Sequence, residues 1–366
     1  MVCRITILAP KFQSEHLYQI LKSLCIKDLY TVTGSLPKFV SAPFWNPFGK
    51  NSIAHDPATG MMFLVDEKWE RTICSYICKE AKMEGNSNYG VIYSQKLELG
   101  PGDSFWKVNS NEAWKTLPEG SSHLSDNLQG ISCILQKGES ENICDIALES
   151  VAAPFITYGS GSGLRDNLGL LRITIPAEKE ILRFVVNRDE VPYFLSMMIK
   201  RGSLDQPGRG FIFTWPISFG SSALNPTAES KSAASTEQII AAIDSLQGDI
   251  TWRKKVAFNS VQKYQFFEGV DLTLCCNEGS GRKLVTAAMD AGLGGATVEQ
   301  WKLLSPSGDP NQVSRARELC LMTLDPAKLD AVLGNMKSNQ AFESVYSGAI
   351  LQGKVPQAFT YLAKSS

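Results

Sequence analysis

The chain has 366 residues, 43% of them hydrophobic and 20% charged, with a formal net charge of −1. That is the make-up of a globular protein with room for more than one ordinary domain. It excludes a general electrostatic attraction to nucleic acid or an anionic membrane surface. No apolar run approaches the ~20 residues that span a bilayer as a helix.

From the N-terminus, Val2–Leu8 reads as a strand with no signal-peptide layout, so a cytoplasmic protein is expected. A helix follows, with apolar residues at Leu17, Ile20, Leu21 and Leu24. Strands are expected near Leu29–Thr33 and Met61–Val65, separated by a long loop over 34–60. A second helix carries Ile73, Cys74 and Ile77, and Gly90 opens a last strand. Residues 99–128, with Pro101-Gly102 and Pro118-Glu119-Gly120, read as a linker.

The same order then recurs. Cys144, Ala147, Leu148 and Val151 mark a first helix, Val191, Phe194, Leu195 and Met198 a second, and Gly210 opens the last strand. Asn187, with Glu190 three residues on, reads as a capping box. A linker with a short helix is expected over 218–268. A third copy places Leu284, Ala287, Ala288 and Ala291, then Leu329, Val332, Leu333 and Met336, before Gly348; Asp325-Pro326 opens its second helix. The units span 1–98, 129–217 and 269–366. Repeats of this kind constrain the fold more than any single motif.

Each unit then forms a four-stranded antiparallel sheet with two helices on one face, an α+β ferredoxin-like (split βαβ) arrangement. The strands are apolar at both phases, as in Ile5, Ile7 and Leu8 or Phe211, Ile212, Phe213 and Trp215, so the second sheet face needs cover. Three tandem units packing around a pseudo-threefold axis would supply it within a monomer. The nine cysteines lack metal-ligand spacing and read as reduced core residues, with a Cys275–Cys276 thiol site as the alternative.

The candidate ligand site is in the second unit. Gly159, Gly161 and Gly163, followed by Arg165, read as a loop whose backbone N–H groups form an anion nest under a guanidinium. Gly208, Arg209 and Gly210 form a second glycine loop before the last strand, and the fold can bring the two together. Phe44, Trp45 and Phe48 in the first unit's long loop suit a protein-docking arm. The Gly279-Ser280-Gly281-Arg282 helix start is a weaker anion site.

A long loop after the second strand, a glycine loop before the fourth and a threefold assembly together resemble the PII nitrogen-regulatory signal proteins. The metal-tolerance CutA family resembles the chain in the same way. The PII resemblance implies a PII-like pseudo-trimer in one chain. It further implies a signalling role through loop ordering and an adenine nucleotide (AMP, ADP or ATP) held between units by Gly163, Arg165 and Gly208 to Gly210. Asp166 and Asn167 depart from the family's Gln and Lys, and Arg209 replaces an acidic residue, which weighs against 2-oxoglutarate and Mg-ATP. The alternatives are an enzyme using an inter-unit cleft, for which no nucleophile–His–acid set is present, and a ligand-free CutA-like structural pseudo-trimer.

Overall fold

The computed structural model describes residues 1–40, 52–84, 89–121, 124–149, 154–163, 178–221, 264–306 and 315–361. The first third of the chain contains β1 (Val2–Pro10), α1 (Ser14–Ser23), β2 (Leu29–Val40), β3 (Ser52–Asp66), α2 (Glu70–Glu80) and β4 (Val91–Leu99), followed by the short β5 (Val108–Asn109). The second contains β6 (Leu128–Gln136), α3 (Glu141–Glu149), β7 (Phe155–Gly163), β8 (Glu178–Asn187), α4 (Val191–Arg201) and β9 (Gly210–Pro216), followed by β10 (Phe219–Gly220). The last contains β11 (Phe267–Asn277), α5 (Gly281–Asp290), β12 (Gly295–Leu304), β13 (Arg315–Leu324), α6 (Leu329–Ser338) and β14 (Ala349–Thr360).

The strands do not make three separate sheets. They join into one 14-stranded sheet, and the wall closes on itself. Going round, β4, β1, β3, β2, β12, β7, β8, β6, β9 and β14 pair in turn, and β14 returns to β4, giving a closed antiparallel ring of ten strands. β13 and β11 form a second route between β12 and β14. The joins are backbone ladders: Lys302 opposite Thr31, Thr297 opposite Gly161, Ala358 opposite Phe213 and Leu351 opposite Leu99.

The expectation of three ferredoxin-like α+β units assembled as a PII-like pseudo-trimer is therefore corrected to a closed β-barrel with helices on its outside. The physical reason is the sheet edge. An open edge leaves a row of N–H and C=O groups unpaired, and closure removes it.

Strand alternation divides the side chains into two layers. Cys3, Ile5 and Ile7 of β1 face α1 and α2, where they pack with Leu17, Leu21, Ile73 and Ile77. α4 and α6 cover two similar outer clusters, around Phe184 with Phe194 and around Leu274 with Val332. The inner face holds one shared core drawn from every third of the chain, including Val2, Leu8, Tyr93, Phe155, Trp215, Trp301 and Leu351. Fully burying one such large apolar side chain contributes roughly 1.5–3 kcal/mol.

Other expectations change as well. The loop over 34–60 is largely a β-hairpin, since β2 runs to Val40 opposite Ser52 of β3. Phe44, Trp45 and Phe48 lie outside the described residues. The stretch 99–128 is tied to the protein rather than free: Trp114 is buried with its ring 5.8 Å from Trp69, and its Nε1 donates to the Leu24 carbonyl at 3.1 Å. Asn187 does not cap through its side chain; its Nδ2 instead donates to Glu190 at 3.3 Å. Asp325 accepts from the Ala327 N–H at 2.9 Å where the second helix of the last third begins.

Two helix starts are capped from the sheet. Glu180 of β8 accepts from the Ser140 N–H at 3.0 Å ahead of α3, and Glu318 of β13 accepts from the Gly281 N–H at 2.6 Å at the start of α5. The matching position of β3 is Thr59, which accepts from the Ser14 hydroxyl at 2.9 Å. The Gly279–Arg282 anion site expected from the sequence is thus filled by the chain's own carboxylate. Glu318→Ala strips a buried N–H of its charged acceptor and is expected to cost about 1–3 kcal/mol in urea unfolding. Glu178→Ala removes an exposed bridge to Lys137 and should cost under about 1 kcal/mol.

Candidate functional site

The barrel interior contains charge that an apolar core does not need. In β1, Arg4 and Thr6 alternate with Cys3, Ile5 and Ile7, so they share the inward phase of Val2 and Leu8. The equivalent inward positions of β6 and β11 are Gly130 and Asp271. The three sit opposite Gln95, Trp215 and Gly353 on their neighbouring strands. One level of the interior is thus built from an arginine, an aspartate, a glutamine and a tryptophan. Gly130 is required there because a Cβ would overlap the Trp215 indole. That ring stacks 4.9 Å from Tyr93 and donates from Nε1 to the Ser132 hydroxyl at 2.9 Å.

Beside this level lies a closed polar network. Arg183 of β8 donates to the Thr157 hydroxyl of β7 at 2.7 Å and pairs with Glu299 of β12 at 2.5 Å. Thr157 also donates to Glu299, and Trp301 Nε1 approaches the same carboxylate at 3.4 Å. Burial disfavours the Arg183 charge, but Glu299 more than offsets it, so the guanidinium is held more firmly protonated than usual. This pair bridges β8 and β12, the two strands on either side of β7.

Arg4 is left less satisfied. Its Nη2 donates to Gln95 Oε1 at 2.5 Å and its Nη1 reaches Thr273 Oγ1 only at 3.5 Å. Its buried Nε and the buried Nε2 of Gln95 have no partner among the described residues. Burial lowers the guanidinium's proton affinity, with Asp271 and Tyr93 acting against the shift. Asp271 is itself buried, with no hydrogen-bond partner among the described residues. Burial pushes its carboxyl up, and Arg4 and Arg183 pull it back. Arg183 keeps 13% of its side-chain surface.

The arrangement offers unpaired N–H donors, a cationic fork and a carboxyl able to carry a proton, within an aromatic surround. Two unused buried donors beside an unpaired guanidinium suit an oxyanion.

The residues expected from the sequence fall elsewhere. Gly159, Gly161 and Gly163 are strand residues of β7 paired with β12, Gly159 also with β8, and not an anion nest. A Cβ on Gly159 would stand 2.8 Å from the Val298 carbonyl oxygen, so close strand approach explains the glycine. Gly208 takes a left-handed φ of 73° in a turn, and its carbonyl accepts from Gln136 at 2.8 Å. Arg209 is committed to Glu139 at 2.6 Å, and Gly210 begins β9 opposite Leu135. Two strands, β6 and β8, stand between β9 and β7. At about 4.8 Å per strand, the two glycine runs are roughly 14 Å apart. Arg165 lies outside the described residues. For the thiol alternative, burial pushes Cys275 up to about 12, which keeps it neutral.

Comparison with known proteins adds little. No family model matches the chain, and no curated protein matches it. The crystal structure of an anthrone oxidase-like protein matches at 8% identity, covering 66% of this chain and 98% of its own, with a TM-score of 0.19. A score that low carries no argument. The PII-like assignment, with its nitrogen-regulation and tandem-repeat reading, is withdrawn on the closed ten-strand ring. Among the described residues no helix is long and apolar enough to cross a membrane.

Proposed function

We propose that this protein binds a small anionic effector, a carboxylate above all, inside its closed sheet against Arg4 and Gln95. The observation that carries this reading is Arg4. It is a half-buried guanidinium whose buried Nε is free, with no carboxylate within ion-pair distance among the described residues, beside a second free donor on Gln95. A buried donor left without an acceptor costs about 1–3 kcal/mol, and an incoming oxyanion would offset that cost with charge-assisted hydrogen bonds. All nine cysteines are free thiols, which fits a reducing compartment, so a cytoplasmic location is kept as part of the proposal.

The test is thermal unfolding of the full chain with acetate, benzoate, inorganic phosphate and AMP. A ligand at about a hundred times its Kd stabilises by roughly 2.7 kcal/mol. Wild type should gain a few degrees with a carboxylate. Arg4→Met should lose that gain, and its ligand-free melting temperature should not exceed wild type, because the variant leaves Asp271 without an opposing guanidinium. Equal gains in both proteins would place the ligand elsewhere. The absence of any gain in wild type would remove the reading.

A further inference from the structure

Resting on the interior site proposed above, we infer that the ligand is a monoanionic small acid and that it binds together with one proton, carried in the complex by Asp271. Four charged groups meet inside the barrel: Arg4 on β1, Arg183 on β8, Asp271 on β11 and Glu299 on β12. Fully ionised, they cancel. The strands flanking Asp271 add no charge, since Thr323 of β13 and Gly353 of β14 stand opposite it. Tyr93 on β4 adds none either, because burial pushes its hydroxyl up despite the pull of Arg4.

A monoanion entering a neutral enclosed set leaves one uncompensated negative charge, which a low-dielectric interior does not tolerate. One proton restores the balance. Glu299 is poorly placed to take it, being held by Arg183, Thr157 and Trp301. Asp271 is well placed. It has no hydrogen-bond partner among the described residues, it shares the inward face with Arg4, and burial already favours its neutral form. Its protonation also removes the charge that competes with the ligand for Arg4. A dianion would need a second proton for which the interior has no equivalent carrier, so phosphate is disfavoured toward about pH 8, where it is mostly a dianion, and less so toward about pH 6, where it is mostly a monoanion.

The sign of the pH dependence follows. Below the Asp271 pKa the proton is already bound and affinity is at its highest. Above it the proton comes from solution, and Kd rises about tenfold per pH unit. Calorimetric titration of the full chain with benzoate, acetate and inorganic phosphate, between about pH 6 and about pH 8 where free carboxylic acids are ionised, reads this directly. Two buffers of different ionisation enthalpy give the proton count.

The expected result is about one proton taken up per carboxylate bound, the tenfold slope, and phosphate weaker than benzoate at about pH 8 by a margin that narrows toward about pH 6. Asp271→Asn should bind carboxylate with no uptake and a flat pH profile. Carboxylate binding without proton uptake in wild type, or phosphate binding as tight as benzoate at about pH 8, overturns the inference while leaving the interior site standing. Binding of no acid at all removes the site and the inference together. The wild-type proton count decides the matter even if Asp271→Asn does not fold.

Discussion

Gly130→Ala is expected to unfold at markedly lower urea concentration than wild type, with a loss of about 3 kcal/mol, the upper end of what overpacking a filled core costs. The added methyl would occupy space already held by the Trp215 indole. That ring cannot retreat freely: it is 4% exposed, packed 4.9 Å from Tyr93 and tied through Nε1 to Ser132. Backbone relief is also limited, because Gly130 is laddered on both sides, to Val185 of β8 and to Trp215 itself.

A second substitution separates this cause from a general intolerance of change at Gly130. Trp215→Ala alone opens a cavity and should cost about 3–5 kcal/mol. In the double variant the methyl fills part of the space the indole left, so the combined loss should fall short of the sum by about 1–3 kcal/mol. Additive losses would show that Gly130 and Trp215 do not share one volume. By contrast, Gly138→Ala meets no neighbouring atom but sits at a left-handed φ of 87°, and should cost only about 1–2 kcal/mol.

Gly130 also shows what the sequence conveys and what it conceals. The 3.6-residue spacing of Leu17, Ile20 and Leu21 or of Phe194, Leu195 and Met198 locates helices, because each helix buries one stripe and the stripe is written in residue types. The closure of the sheet is written in backbone hydrogen bonds, to which side-chain pattern is nearly blind. Leu351 opposite Leu99 and Ser35 opposite Ile156 join distant parts of the chain with no local signature.

Glycine misled for a related reason. Gly159 to Gly163 have a loop-like composition, yet here glycine permits β7 to lie close between two neighbours. The interior site did leave a trace. A charged residue in mid-strand among apolar neighbours, as Arg4 is between Cys3 and Ile5 or Asp271 between Val270 and Leu272, is costly unless it is paired or used. Attention to the apolar phases alone passed over that signal. Which charges meet is a property of the closed barrel, since Arg4, Arg183, Asp271 and Glu299 come from four strands spread over the whole chain.

The second large effect belongs to the ion pair that bridges β8 and β12. Glu299 has no exposed side-chain surface, and Arg183 keeps 13% of its own. Glu299→Ala leaves a buried guanidinium with only the Thr157 hydroxyl and should cost about 3–5 kcal/mol, the usual penalty for breaking one half of a buried pair. The pair itself is a different quantity. Bringing both ions out of water offsets much of their attraction, so Arg183→Met with Glu299→Leu, which replaces both charges with apolar side chains, should return to within about 1 kcal/mol of wild type or exceed it. Urea midpoints of the three proteins measure this. A double variant as unstable as Glu299→Ala would mean that β7, β8 and β12 depend on the ion pair itself for their join. The double variant also divides the two roles assigned to the interior charge. Removing Arg183 and Glu299 together keeps the enclosed charge balanced and leaves Arg4, Gln95 and Asp271 in place, so carboxylate binding and its proton uptake should persist within about tenfold of wild type, or about 1.4 kcal/mol. Loss of binding in a well-folded double variant would move the anion contact from Arg4 to Arg183.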